Sequence, residues 1–131
     1  MAAEVIGVRE FSFILGNNPG ALVEVAEALG TEHVNIEGIA GVTVLEEGVI
    51  ALVTDNADKT RKVLRSLEIE YTEREALLMD LPHQPGQLAT ILLRLSAERI
   101  NVLSCYCGVE KNQLVLTVDQ ADRAKAVFKL P

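Results

Sequence analysis

At 131 residues, 49% of them hydrophobic, the chain can bury a core, and roughly two-thirds of its unfolded surface should disappear on folding. Its net charge of −7 provides no basic face for counterion release, which excludes nucleic acid and anionic membranes as partners. Met1-Ala2-Ala3-Glu4 begins neither a basic nor an apolar leader, and no run reaches the ~18 apolar residues of a membrane span, so the expected location is the cytoplasm.

Glu4-Val5-Ile6-Gly7-Val8 is a spare strand-like segment, followed by the β-prone run Phe11-Ser12-Phe13-Ile14-Leu15. Asn18 then suits a helix N-cap and Pro19 a first helical position, with Leu22, Val25, Ala26 and Leu29 as the apolar stripe. Two strands are expected over Val34 to Leu45 and Val49 to Thr54, turning at Glu46-Glu47-Gly48. A second helix begins near Asp55 to Asp58, and a strand follows at Ile69-Glu70-Tyr71. The order then repeats: a strand at Ala76 to Leu81, a helix from Pro85 to about Glu98, strands at Asn101 to Val109 and Gln113 to Val118 around a turn at Glu110-Lys111-Asn112, and a helix from about Gln120 to Phe128.

That repetition is written in the residues. Asn17-Asn18-Pro19-Gly20-Ala21-Leu22 returns 66 residues later as His83-Gln84-Pro85-Gly86-Gln87-Leu88, and Leu15, Leu29, Glu32 and Asn35 return as Leu81, Leu95, Glu98 and Asn101. Leu52, Asp55, Ala57, Asp58 and Val63 return only 64 residues later, as Leu116, Asp119, Ala121, Asp122 and Val127, so two residues are lost at the strand-to-strand turn. The chain is an internal duplication, expected as residues 1–72, with the segment 4–8 at its start, and 73–131. The order βαββαβ, then βαββα without its last strand, predicts an α+β fold: ferredoxin-like sandwiches with antiparallel sheets and helices on one face. Residues 4–8 are placed to supply the strand the second copy lacks. Consecutive apolar residues in Gly48 to Val53 and Leu114 to Leu116 predict that the other sheet face is also covered, by the other repeat or by a subunit, and a homodimer at least is expected.

This element order, with Pro-Gly-x-Leu at the first strand-to-helix turn and Val34-Asn35-Ile36 or Ile100-Asn101-Val102 entering the second strand, resembles the ACT domain, a family of amino-acid-binding regulatory modules. The resemblance spans about residues 9 to 130 as tandem copies. It implies ligand held between the first strand-helix loop and the start of the second strand, often across an interface of two domains. The candidate residues are Asn17, Asn18, Gly20, Ala21, Leu22, Asn35 and Ile36 in one copy and His83, Gln84, Gly86, Gln87, Leu88, Asn101 and Val102 in the other. Their chemistry is compatible: a helix N-terminus offers unpaired N–H groups to a carboxylate, a glycine allows close approach, and an Asn amide accepts from an ammonium group or ties the loop to the strand. The same residues are also plain turn chemistry, and many ACT-like domains are only dimerisation scaffolds.

The remaining residues invite blander readings. Cys105 and Cys107 flank Tyr106 on a strand and read as small buried thiols rather than a metal or redox pair, and they are too close in sequence to form a disulfide with each other. Tyr106 faces the other way, into the core or a pocket. His33 reads as a helix C-terminal dipole partner, and His83 as a loop residue within reach of ligand. Lys59, Arg61, Lys62 and Arg65, like Arg123, Lys125 and Lys129, read as solvated faces. Neither a Gly-rich phosphate loop nor a zinc-protease motif is present, so no catalytic centre, metal or cofactor is expected. The function expected is a non-catalytic amino-acid sensor that signals to an effector in trans, such as an amino-acid biosynthetic enzyme; the alternative is an assembly module that mediates oligomerisation without a small-molecule ligand.

Overall fold

The computed structural model describes residues 5–16, 18–110 and 112–129. Its elements follow the repeated order: β1 (Val5–Gly16), α1 (Ala21–Thr31), β2 (Ile36–Val44), β3 (Glu47–Thr54), α2 (Ala57–Ser66), β4 (Tyr71–Asp80), α3 (Gln87–Ala97), β5 (Val102–Cys107), β6 (Gln113–Val118) and α4 (Ala121–Phe128). Glu4, Asn17 and Lys111 lie outside the described residues. The α+β fold is as expected, with strand ladders antiparallel. Two pairs of expected strands are single strands. The spare N-terminal segment runs straight into the Phe11 run as β1, and the strand ending the first repeat runs into the one opening the second as β4.

The chain forms two compact units, Arg9–Arg74 and a second that joins residues 5–8 to residues 75–129. In the first unit the strand order is β2-β3-β1-β4, and in the second β1-β4-β6-β5, each unit using its own part of β1 and β4. The residues ahead of the first repeat thus stand beside β4 of the second unit, where a side chain at Gly7 would meet Glu75 and Lys125. Arg9, two residues on, pairs with Glu73 within the first unit.

Each unit buries one helix-facing core, and the two cores are the same residues at the repeat spacing. Phe11, Phe13, Val25, Leu29 and Val34 correspond to Leu77, Met79, Ile91, Leu95 and Ile100. Ile50, Leu52 and Leu64 correspond to Leu114, Leu116 and Phe128. Their alternation along each strand puts one row of side chains under the helices, as period-2 geometry requires. The strand ladders repeat too: Gly41 faces Ile50 as Cys107 faces Leu114, and both copies carry an irregularity near the start of the second strand, at Ile36/Gly38 and Val102/Ser104. The two missing residues shorten the far end of the second hairpin.

The opposite sheet face is partly covered without any second chain. Ala76, Leu78, Val115, Val53, Thr117 and even Glu10 are buried there. Further along β1, β2 and β3 the same face opens, leaving Ile14 58% and Val42 60% exposed in one cross-strand row with Val49.

Several local expectations are corrected. The β2–β3 turn is Leu45-Glu46, with both residues at positive φ (49° and 69°), one residue earlier than expected. This is the two-residue type I′ hairpin, whose twist matches that of the flanking strands. Arg61 is not a solvated cation: its guanidinium grips both Glu73 oxygens at 2.7 Å and Asp58 at 2.6 Å, and lies 5.9 Å from the centre of the Phe11 ring. Lys125 likewise pairs with the half-buried Glu75, whereas Arg123, paired with Glu98, and Lys59, donating to the Glu32 carbonyl, make their contacts at the solvated surface. Cys105 and Cys107 are exposed rather than buried. Both stand on the helix-facing side, opposite Leu116 and Leu114, but β5 is an outer strand and the helices do not cover it.

Candidate functional site

The repeated Pro-Gly is a turn before it is a helix. Asn18 accepts a hydrogen bond from the Ala21 N–H at 3.3 Å, with Pro19 and Gly20 between them and Gly20 at φ 92°, ψ −12°. Gln84 accepts likewise from Gln87 at 3.4 Å, with Gly86 at φ 84°, ψ −6°. Proline at the second position and a left-handed glycine at the third define a type II turn. Helix α1 therefore starts at Ala21 and α3 at Gln87, so the helical N-cap is the glycine and not Asn18. The space above both glycines is open, and it is φ rather than crowding that requires glycine there.

A glycine cap has no side chain to offer, and neither α1 nor α3 has a side-chain cap hydrogen bond. Helix α2 shows the contrast, since Asn56 Oδ1 accepts from the Lys59 N–H at 3.0 Å. The first-turn N–H groups of α1 and α3 are thus left with their partial positive charge. Each helix start borders a cavity. In the second copy it measures about 770 Å³ and is lined by His83, Gln84, Gly86, Gln87 and Leu88 from the loop and helix, with Cys107 to Glu110, Asn112 and Gln113 from the hairpin. In the first copy the corresponding cavity measures about 310 Å³ and takes in Asn18, Ala21 and Leu22, with Gly41 to Thr43, Gly48 and Ile50. The larger volume lies well within the range of small-molecule sites, and the smaller lies at its lower end.

The two asparagines are elsewhere. Asn35 N–H donates to Asp55 Oδ1 at 3.0 Å, its side-chain amide donates to Oδ2 at 3.2 Å, and the Asp55 N–H returns a bond to the Asn35 carbonyl at 3.0 Å. Asn101 and Asp119 repeat the three bonds at 3.0, 3.2 and 3.1 Å. These clamps tie the helix-to-strand loop to the end of the neighbouring strand. Ile36 and Val102 adjoin them, and neither lines a cavity described above. Along β2, the cavity residue Gly41 stands five positions on from Ile36, roughly 17 Å of extended chain. The cavity of the second copy brings together all five loop candidates and that of the first only Asn18, Ala21 and Leu22, without Gly20, whereas the asparagines stand at the opposite end of the same strands.

His33 adopts a left-handed conformation (φ 58°) just past α1, and its N–H donates to the Gly30 carbonyl, the role Arg99 plays after α3. Its position serves the helix end through the backbone. Among the described residues no cluster of three or more His, Cys, Asp or Glu side chains is placed to hold a metal ion, and no helix is long and apolar enough to cross a membrane. The hairpin residues Cys107 to Glu110, Asn112 and Gln113 are the part of the cavity that the sequence did not mark, although the shorter second hairpin was a signal that this end differs between copies.

Two ferredoxin-like units, each with a Pro-Gly turn and a helix start without a side-chain cap, define a tandem α+β architecture. Residues 6–130 match the model of the ACT domain pair, and the chain belongs to that family. Among solved structures it is similar to protein BT0572 from Bacteroides thetaiotaomicron, at 25% identity and TM-score 0.83, over 94% of this chain and 87% of that one. It also shares its fold with the regulatory subunit of aspartate kinase from Thermus thermophilus in ligand-free form, at 15% identity and TM-score 0.76, over 98% and 93% of the two chains. E. coli aspartokinase III in complex with lysine and aspartate is a more distant likeness, at 18% identity and TM-score 0.62, over 98% of this chain and 31% of that one. No curated protein sequence matches.

Proposed function

We propose that this protein is a non-catalytic regulatory module that binds an α-amino acid at the uncapped start of a Pro-Gly-initiated helix and signals to an effector protein in trans. The observation that carries this reading is the cavity bordering such a helix start. Unpaired N–H groups and the helix dipole favour the carboxylate of a zwitterion, and Glu110 in the hairpin wall offers a carboxylate to its ammonium end. Membership of the ACT domain pair and the likeness to regulatory subunits of aspartate kinase support a regulatory role, with an amino-acid biosynthetic enzyme as a fitting effector. The energy of such a switch comes from a difference in ligand affinity between two arrangements of the protein. The expected setting is the cytoplasm.

A thermal-shift screen against the twenty amino acids at millimolar concentration tests the reading. A ligand at 100 times its Kd stabilises the native state by about 2.7 kcal/mol, a readily measured rise in midpoint. Twenty flat traces would reject it in favour of an assembly module. That second reading has its own observation: the exposed row Ile14, Val42 and Val49, with Leu45 92% exposed at the nearby hairpin tip, is an apolar surface suited to a second copy of the chain.

A further inference from the structure

Cys105 and Cys107 stand two positions apart on β5, opposite Leu116 and Leu114 of β6, so both thiols project from the helix-facing side of the sheet. Both are exposed, because β5 is an outer strand that lies beyond the cover of the helices. Cysteine is among the residues most often buried, and an exposed pair has no packing role to account for it. The duplication supplies its own comparison. At the same register the first copy has Ile39 and Gly41, opposite Leu52 and Ile50, so the fold builds this strand without thiols. Extended backbone sets the two cysteine Cα atoms roughly 7 Å apart, and rotation about χ1 swings each sulfur toward the other. Strand β5 pairs on one side only, with β6, which leaves its backbone room to adjust around a shared ligand.

We infer that Cys105 and Cys107 form a two-thiolate site for a copper(I) ion on the surface of the second unit. The number of ligands selects the ion. Thiolates are soft and favour copper(I), zinc and iron–sulfur clusters. Zinc takes three or four protein ligands and an iron–sulfur cluster takes four, whereas among the described residues no group of three or more His, Cys, Asp or Glu side chains stands together. Copper(I), with a filled d shell, is satisfied by two thiolates on opposite sides of the ion. Binding replaces two S–H bonds by two Cu–S bonds and releases the protons to solvent, with no change of oxidation state. Cys107 also lines the larger cavity, so the ion reaches the pair from an open side. The site is independent of the amino-acid reading.

Titration of the reduced protein, without oxygen, into the coloured bicinchoninate complex of copper(I) tests the site, because loss of colour measures the copper withdrawn. The expected result is one copper per chain. Cys105→Ser and Cys107→Ser should each weaken binding by more than the roughly 10–100-fold that a change behind a metal ligand costs. Their thermal midpoints should stay close to that of wild type, since both side chains are exposed. Alkylation of both thiols in the folded wild-type protein should abolish withdrawal, and it provides the test should a serine variant not fold. Colour that persists with wild type, or wild-type affinity in either serine variant, would overturn the inference. One copper shared by two chains would overturn it as well, by moving the ligands to an interface. Tighter binding of zinc than of copper(I), measured with a zinc-sensitive dye, would do the same, since it requires ligands beyond the pair.

Discussion

Thr54 Oγ1 and Thr60 Oγ1 lie 2.7 Å apart in the buried core of the first unit, and the second copy has Val118 and Ala124 in their places. Thr60 donates to the Asn56 carbonyl at 2.8 Å, so the bond between the hydroxyls must be donated by Thr54, whose oxygen in turn accepts from the Asn56 N–H at 3.2 Å. One copy thus satisfies with a polar chain what the other fills with hydrocarbon. Thr54→Val alone should cost about 1–2 kcal/mol, because it leaves the Asn56 N–H and the Thr60 oxygen short of a partner. Combined with Thr60→Ala, the cost should fall short of the sum of the two single changes by about 1 kcal/mol. Urea denaturation of the three variants measures this, and strict additivity would contradict the pairing.

The two turn glycines and Gly30 predict opposite signs. Gly20→Ala and Gly86→Ala place a side chain at positive φ and should each destabilise by about 1–2 kcal/mol, although nothing crowds the new methyl group. Gly30 sits inside α1 with open space around it and without a positive φ. Gly30→Ala should stabilise by about 0.5–1 kcal/mol. Melting midpoints decide all three.

Acid should loosen the first unit through Glu73. Its hydrogen bonds from Arg61 lower its pKa to about 2, helped by Arg9 and opposed by partial burial. A folded pKa below the unfolded value gives stability that is fully present above about pH 4.5 and is lost as the pH falls toward 2. Glu73→Gln should flatten the stability profile over that window. A wild-type profile no steeper there than that of the variant would show that the ion pairs contribute nothing.

Removal of the Asn35 amide by Asn35→Ala should cost about 1 kcal/mol, since it deletes one of three bonds in an exposed clamp. Asp55→Ala deletes two, the backbone N–H of Asn35 losing its acceptor as well, and should cost more. The same order should hold for Asn101 and Asp119. Chemical denaturation gives the ranking, and a larger loss for the asparagines would assign them a role beyond the clamp.

Both thiols should react with a water-soluble disulfide reagent in the folded protein. Cys105 should react more slowly at pH 7, because burial first and the neighbouring Cys107 second push its pKa up and reduce its thiolate fraction. Single-cysteine variants followed over a range of pH separate the two rates.

The duplication and the element order were legible because a hydrophobic pattern carried at a fixed spacing survives substitution: Phe11 can become Leu77 and Val25 become Ile91 without changing which face is buried. The turn at Asn18-Pro19-Gly20 was misread as the helix start because proline has the same φ in a type II turn and in a first helical turn; only the sign of the glycine φ separates them, and that is not written in the letters. Cys105 and Cys107 were misplaced because residue type predicts burial only on average, and their exposure follows from the outer position of β5. The loop half of the candidate site was visible in the repeated motif. The hairpin half was not, because Gln113 meets that loop only through the pairing of β4 with β6, where it faces Asp80.

Residues 5–8 belong with residues 75–129, so during synthesis this segment must wait for a partner strand some seventy residues further along the chain. At about 5–20 residues per second, synthesis alone imposes a delay of several seconds, during which residues 5–8 lack that partner strand. The unit that was copied in the gene and the unit that folds are consequently out of phase, and cutting the message at the repeat boundary would yield one half with a surplus strand segment and another still short of its last strand.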